Sequence, residues 1–202
     1  MNKRDTFDCA GVFINAIGFG IRGLNEKDRD QYDHLDEISY AKGAAMIVRQ
    51  SVWNKLKGFD SLFFTYFEET DFCWRVWLSG YRVVFVPSAK VFHVGEATIT
   101  KYGRSRFKFQ NYRNGIVMVV KNLSFKNLAK YLPWLVIVYS NRIRLHIRDR
   151  DYLSVLANVH GMYWCLRFFK IIWTKRLSVQ QLRTVSDSDL FKRRILSRTI
   201  SL

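Results

Sequence analysis

Three acids, Glu68, Glu69 and Asp71, stand directly behind the aromatic stretch Phe63–Phe67. Carboxylates that emerge from a partly apolar wall lose hydration and repel one another, so at least one of their pKa values rises. A carboxylate tuned in that way can take a proton from a hydroxyl as the hydroxyl attacks. The same trio falls in the first turn of a predicted helix, where acids interact favourably with the helix dipole, and spacing alone leaves both readings open. Arg75, one turn beyond Asp71, can pair with it and fix the helix start.

The helix that must carry these acids is predicted over Glu68–Ser79. Phe72, Val76 and Ser79 follow three-and-four spacing with Arg75 and Leu78 beside them, and Gly80 ends it. Upstream, Gly11–Ile14 reads as a short strand. Gly18, Gly20 and Gly23, with Arg22 among them, read as a loop, and Asn25–Glu37 as a solvated connection. Ser39–Val48 suits a buried strand whose small residues Gly43, Ala44 and Ala45 allow close approach of another group. Arg49–Leu56 predicts a short helix with Gly58 at C′. Downstream, Tyr81–Val86 is a β-type run stopped by Pro87, and Lys90–Val94 is a second strand carrying His93. This alternation predicts an α/β arrangement.

Hydrophobic residues make up 49% of the 202 and aromatics 16%, enough for a packed core. Residues 1–100 hold 12 Lys and Arg against 13 Asp and Glu. Of the chain's 33 and 17, that leaves 21 and 4 after residue 100, a net charge there of +17. Such asymmetry points to an anionic partner, lipid surface or nucleic acid. Cys9, Cys73 and Cys165 are scattered and odd in number, so neither a disulfide framework nor a zinc site is indicated, which fits a reducing, cytoplasmic setting. Met1–Cys9 is too polar for a signal peptide, and the longest apolar run, Tyr131–Tyr139, is half of the roughly 20 residues a spanning helix needs. After about residue 105 the pattern is helix after helix. Val155, Val159, Met162, Leu166, Phe169 and Trp173 are assigned to one helical face, with His160, Arg167, Lys170 and Thr174 on another.

Taken together, G-A-A-M-x-x-R from Gly43, G-F-D-x-x-F-F-x-Y-x-E-E-x-D-x-x-x-R from Gly58, and G-Y-R-V-V-F-V-P-x-A-x-V-x-H from Gly80 resemble family 2 glycosyltransferases of the GT-A fold, particularly rhamnosyltransferase-like members. Cys9–Gly23, Ala97–Lys101, Arg113-Asn114 and Lys175–Leu190 also look like family positions, so the resemblance covers nearly the whole chain. It implies an inverting displacement in which the second acid of an acidic pair deprotonates the acceptor, a role that falls on Glu69 with Glu68 and Asp71 beside it. The family usually carries Asp there, and Glu69 sets its carboxylate on a longer stem. Gly43, Ala44, Ala45 and Arg75 become candidate substrate-binding residues, and His93 a candidate metal ligand for a divalent cation, Mg2+ or Mn2+. The implied fold is the C-terminal portion of a GT-A domain over residues 1–104, followed by a basic helical, membrane-associating region over 105–202.

A GT-A enzyme also carries a nucleotide-binding βαβ portion with an Asp-x-Asp motif. Asp28-Arg29-Asp30 has the letters but sits in the charged connection, and is read as accidental. The implied partners are a nucleotide-sugar donor, a glycan or lipid-linked acceptor, an anionic membrane surface on the cytoplasmic face, and a separate donor-binding subunit. The alternative is a catalytically inactive membrane-surface protein of the same descent. Nucleic-acid binding through Arg142, Arg144, Arg148 and Arg150 is set aside, because the cations interleave with long apolar stretches and no nucleic-acid module is recognised.

Overall fold

The computed structural model describes residues 6–15, 18–21, 26–27, 29–92 and 104–198. These residues form seven helices and a few short strands, a mostly helical architecture rather than one built around a large sheet. Strands β1 (Val12–Asn15) and β2 (Gly18–Ile21) pair antiparallel, Val12 opposite Ile21 and Asn15 opposite Gly18. The glycine-rich stretch expected to be a loop is therefore an edge strand as far as Ile21, because the ladder to β1 satisfies its backbone; Arg22 and Gly23 lie outside the described residues. On the other side of β1 lies β5 (Leu196–Ser197), in parallel, from the far end of the chain. Ser39 locks this junction: its hydroxyl accepts from the Ile14 N–H at 2.9 Å and donates to the Ile195 carbonyl.

A second, two-stranded sheet joins β3 (Asp36–Glu37) to β4 (Val84–Phe85). The run Tyr81–Val86 keeps only those two strand residues, since Val84 and Val86 lie on the surface and have little to pack against. Lys90–Phe92 is not a strand, and the rest of that predicted element, His93 included, lies outside the described residues. Ser39–Val48 likewise makes only an isolated bridge from Tyr40 to Val12 before becoming a turn, with Ala44 and Ala45 exposed.

Helix α1 (Gln50–Lys55) ends in a Schellman motif, the Gly58 N–H reaching the Trp53 carbonyl and the Lys57 N–H that of Asn54. Lys57 therefore occupies C′, at φ 58°, and the glycine expected there sits one residue later. Gly58 has its own constraint, because a Cβ would come within 2.7 Å of the Trp53 ring. Helix α2 (Glu68–Leu78) ends the same way with Gly80 at C′ and φ 82°. From Thr70 to Leu78 every side chain of α2 is buried, and the Trp77 Nε1–H donates to the Ile38 carbonyl at 3.0 Å. This is a core helix, which is why its apolar residues extend beyond one stripe.

The second half consists of α3 (Arg104–Asn122), α4 (Phe125–Arg148), α5 (Tyr152–Arg167), α6 (Phe169–Gln181) and α7 (Asp187–Lys192). Val117, Met118, Val119 and Leu123 bring α3 into the same hydrophobic core as Phe72, Trp74 and Trp77 of α2. Several cations of this half are structural rather than surface charges. Arg176 donates to the Val120 and Leu123 carbonyls at 2.6 Å, and with Gln180 and Arg183 it satisfies the C-terminal carbonyls of α3. Asp187 does the converse at the start of α4, accepting from the Ser124 N–H at 2.8 Å while paired with Arg183 at 2.7 Å.

The amphipathic pattern expected over 155–173 is divided by a helix end at Phe168: His160, Arg167, Lys170 and Thr174 are exposed, while the apolar residues split, Val155, Met162 and Trp173 half-buried and Val159, Leu166 and Phe169 exposed. Ser154, Ala157, Asn158, Gly161 and Cys165 form the buried face of α5, while Val159 and Leu166 are exposed. Close approach explains this choice. A Cβ on Gly161 would stand 3.1 Å from the Arg113 backbone nitrogen and 3.3 Å from the Tyr112 Cβ, so only small side chains fit between α5 and α3. Among the described residues no helix is long and apolar enough to cross a membrane.

Candidate active site

The acids at the head of α2 are delivered by an unusual turn. Tyr66 and Phe67 both adopt left-handed backbone, φ 63° and 70°, a conformation that is strained for aromatic residues. Two neighbours on α3 hold it. The fully buried Asn114 donates from Nδ2 to the Thr65 and Tyr66 carbonyls at 2.7 and 2.8 Å, and Arg113 orients that amide at 2.8 Å while also donating to the Leu62 carbonyl at 2.6 Å. Asn114→Ala removes both bonds that stabilise the strained turn. Urea unfolding is expected to show a loss of about 2 kcal/mol, and an unchanged unfolding midpoint would show that the turn is held by something else.

The turn places Glu68 and Glu69 side by side and half-buried. The Oε2 atom of each is shielded from solvent and finds no hydrogen-bond donor among the described residues. Burial pushes both carboxyl groups above their usual range, and for Glu69 the charge of Glu68 adds to it, against smaller opposing effects from the Gly43 backbone and Lys42. Glu69 thus lies against Gly43, one of the residues picked out from sequence, and a Cβ there would meet its side chain at 3.9 Å, an ordinary contact. Gly43, Met46, Val48, Gln50, Trp53 and Phe59 line an open cavity of about 460 Å³, which adjoins Glu69 through Gly43.

Arg75 pairs with Asp71 as its position one turn on predicts, but burial takes both away from the catalytic and substrate-binding roles that the resemblance implied. Asp71 is fully buried, across α2 from Glu69, with Oδ2 2.9 Å from Arg75 Nε and Oδ1 2.8 Å from both Lys121 Nζ and Asn122 Nδ2. Arg75 also donates to the Leu56 and Gly58 carbonyls at 2.6 and 2.8 Å and is itself buried, which keeps it from a substrate. Lys121 also reaches Asp60 at 2.7 Å, and Lys175 reaches the other oxygen of that carboxylate at 2.8 Å. Burial opposes ionisation of Asp60, yet Lys121 and Lys175 outweigh it and hold the carboxyl well below its usual range. This buried network fixes the Gly58-Phe59-Asp60 corner and α2 to α3 and α6. Its members Lys121 and Asn122 were missed from sequence, although Asp60, Asn114 and Lys175 lie inside segments that carried the resemblance.

Ala44 and Ala45 are exposed beside Gly43, in a turn closed by the Ala45 N–H to the Lys42 carbonyl at 3.1 Å, and of the three only Gly43 lines the cavity. Burial pushes the Cys73 thiol up to about 12, so this neighbour of Glu69 stays protonated and is no nucleophile. His93 and Asp28 lie outside the described residues, and Asp30 sits exposed at a turn with φ 60°. Among the described residues no three His, Cys, Asp or Glu side chains converge to hold a cation.

The site is thus a half-buried carboxylate pair at a strained helix head, one oxygen of each without a donor among the described residues, near an open cavity and braced by buried ion pairs. A family model described as "Glycosyl transferase family group 2" matches residues 12–178. The chain belongs to that family, and the resemblance read from its motifs to rhamnosyltransferase-like members is borne out. It is similar to N-acetylglucosaminyl-diphospho-decaprenol L-rhamnosyltransferase of Mycobacterium tuberculosis, 36% identical over 56 residues, which are 28% of this chain and 18% of that protein. It is also similar to rhamnosyltransferase WbbL of Escherichia coli, 36% identical over 87 residues, 43% of this chain and 33% of that protein. The matches thus span a third or less of these curated relatives. No solved structure matches the chain significantly.

Proposed function

We propose that this chain is the acceptor-side, base-carrying part of an inverting glycosyltransferase of GT-A fold, with Glu69 as the base. The observation that carries the reading is the buried Oε2 of Glu69, which lacks a hydrogen-bond donor among the described residues and lies beside Glu68, so that burial and the neighbouring charge outweigh the smaller pull of Lys42 and the backbone. The acceptor occupies the cavity between the Gly43 turn and Trp53 and Phe59, where an apolar, aromatic wall suits the flat face of a sugar ring.

The acceptor hydroxyl gives its proton to Glu69 as its oxygen bonds to the anomeric carbon of the donor. The bond from that carbon to the donor's diphosphate oxygen breaks, and the nucleoside diphosphate leaves with the electron pair from the opposite face. Glu68 acts on this step only through Glu69, by keeping its proton affinity high. Asp71 and Arg75 belong to the framework that aims α2. A divalent cation, Mg2+ or Mn2+, enters this reading only as a companion of the donor diphosphate, and no step is routed through it.

The names of the relatives support L-rhamnose as the sugar and a diphospho-polyprenol-linked glycan as the acceptor, which would set the reaction at the cytoplasmic face of a membrane. A separate donor-binding subunit would complete the site. The test is transfer of L-rhamnose from its nucleotide-linked form to a diphospho-polyprenol-linked N-acetylglucosamine, by this chain alone and in membranes of the cells that make it. Transfer that depends on the chain supports the reading. Membranes that transfer equally well after the chain is deleted contradict it.

A further inference from the structure

Helix α5 is inside out for a helix at a water-exposed surface. At 100° per residue its buried positions Ser154, Ala157, Asn158, Gly161 and Cys165 lie within about 100° of arc. Directly opposite, within about 80° of arc, lie Leu156, Val159, Tyr163 and Leu166, with exposures of 67%, 48%, 60% and 77%. The packing against α3 explains the small residues but not the large ones, which touch little and would normally be polar. The stripe is bracketed by cations, with exposed Arg148 and Arg150 before the helix and exposed Arg167 and Lys170 after it. The carboxylates nearby are already engaged, Asp149 by Arg148 and Asp151 by Lys108, each at 2.8 Å. Neighbouring α4 adds exposed Trp134 and Ile137.

We infer that the outward stripe of α5 is a bilayer-docking face that lies in the headgroup region of an anionic membrane. Leu156, Tyr163 and Leu166 enter the acyl boundary, and Arg150, Arg167 and Lys170 reach the lipid phosphates from either end. A second copy of the chain fits less well, because pairing two such stripes would bring the same cationic ends together with no acids left to neutralise them. A helix of this kind lies on the membrane and does not span it, in keeping with the lengths and polarity of the described helices. The inference stands independently of Glu69, since the face would bind lipid whether or not the chain transfers sugar.

The experiment is flotation of the purified chain with phosphatidylcholine vesicles containing or lacking phosphatidylglycerol, alongside its oligomeric state in solution. The wild type is expected to float with the anionic vesicles, and Leu156→Ser combined with Leu166→Ser to lose roughly ten-fold or more in partitioning. Those side chains are exposed, so helical circular dichroism and the unfolding midpoint should stay unchanged. Arg167→Gln with Lys170→Gln is expected to lose the preference for anionic lipid and its salt dependence while keeping the fold. Failure of the wild type to float, or flotation unaffected by the double serine variant, would overturn the inference. A dimer that the serine variant dissociates, without any vesicle binding, would assign the face to a second copy instead.

Discussion

Glu69→Gln is expected to reduce sugar transfer by about 10²–10⁴-fold, the range associated with loss of a positioned general base. The amide matches the carboxylate in shape and removes a charge that burial disfavours, so the fold should be kept or slightly stabilised. The effect should fall on kcat more than on KM, because proton transfer belongs to the transition state and not to acceptor binding. The wild-type rate should fall as pH drops through the elevated pKa of Glu69, at higher pH than an ordinary carboxylate would give, since only the ionised form accepts the proton. Glu68→Gln is expected to move that acid limb to lower pH while leaving the plateau rate largely intact. It removes the neighbouring charge that raises Glu69 without touching the base itself. A Glu69→Gln enzyme with wild-type turnover would remove Glu69 from the chemistry.

The largest effect on stability is expected at Lys121. Its ammonium is almost completely shielded and lies 2.7 Å from Asp60 and 2.8 Å from Asp71. Lys121→Met keeps the stem and removes the charge, so two buried carboxylates lose a shared partner, and urea unfolding at neutral pH should show a loss of about 3 kcal/mol or more. The pH dependence has a definite sign. Asp60 has a folded pKa below its unfolded value, so it stabilises the wild type above the ordinary carboxylate pKa and loses that contribution as pH falls toward the folded value. In Lys121→Met the Asp60 pKa rises, so the stability lost on acidification should be smaller. A variant as stable as wild type at pH 7, with the same acid limb, would show that the network carries no net stabilisation.

The acids were legible because they are local. Glu68 and Glu69 follow an aromatic run and open a helix whose limits, Glu68 to Gly80, are written in spacing and in one glycine. What holds them was not legible, because Asn114 meets Tyr66 across 48 residues and Lys121 meets Asp60 across 61, and no periodicity reports such contacts. The same limit explains Asp71. In sequence it is a third acid of one cluster, but helical geometry sets it about 160° round the axis from Glu69, and its side chain is buried in the core. On α5 a different limit applies. Polarity separates its two faces but does not say which one packs, whereas the distance of closest approach at Gly161 selects the small residues and leaves Leu156 and Leu166 outside.

The chain contains five glutamates, Glu26, Glu37, Glu68, Glu69 and Glu96, few enough to follow one by one. Titration of side-chain carboxyl 13C resonances in selectively labelled protein, assigned with single Glu→Gln variants, reads directly whether α2 presents a desolvated carboxylate pair. Glu69 is expected to titrate above the ordinary glutamate value of about 4.3, and to move down toward it in Glu68→Gln. A Glu69 that titrates at or below that value, unchanged by loss of Glu68, would contradict its assignment as a base raised by burial and by its neighbour.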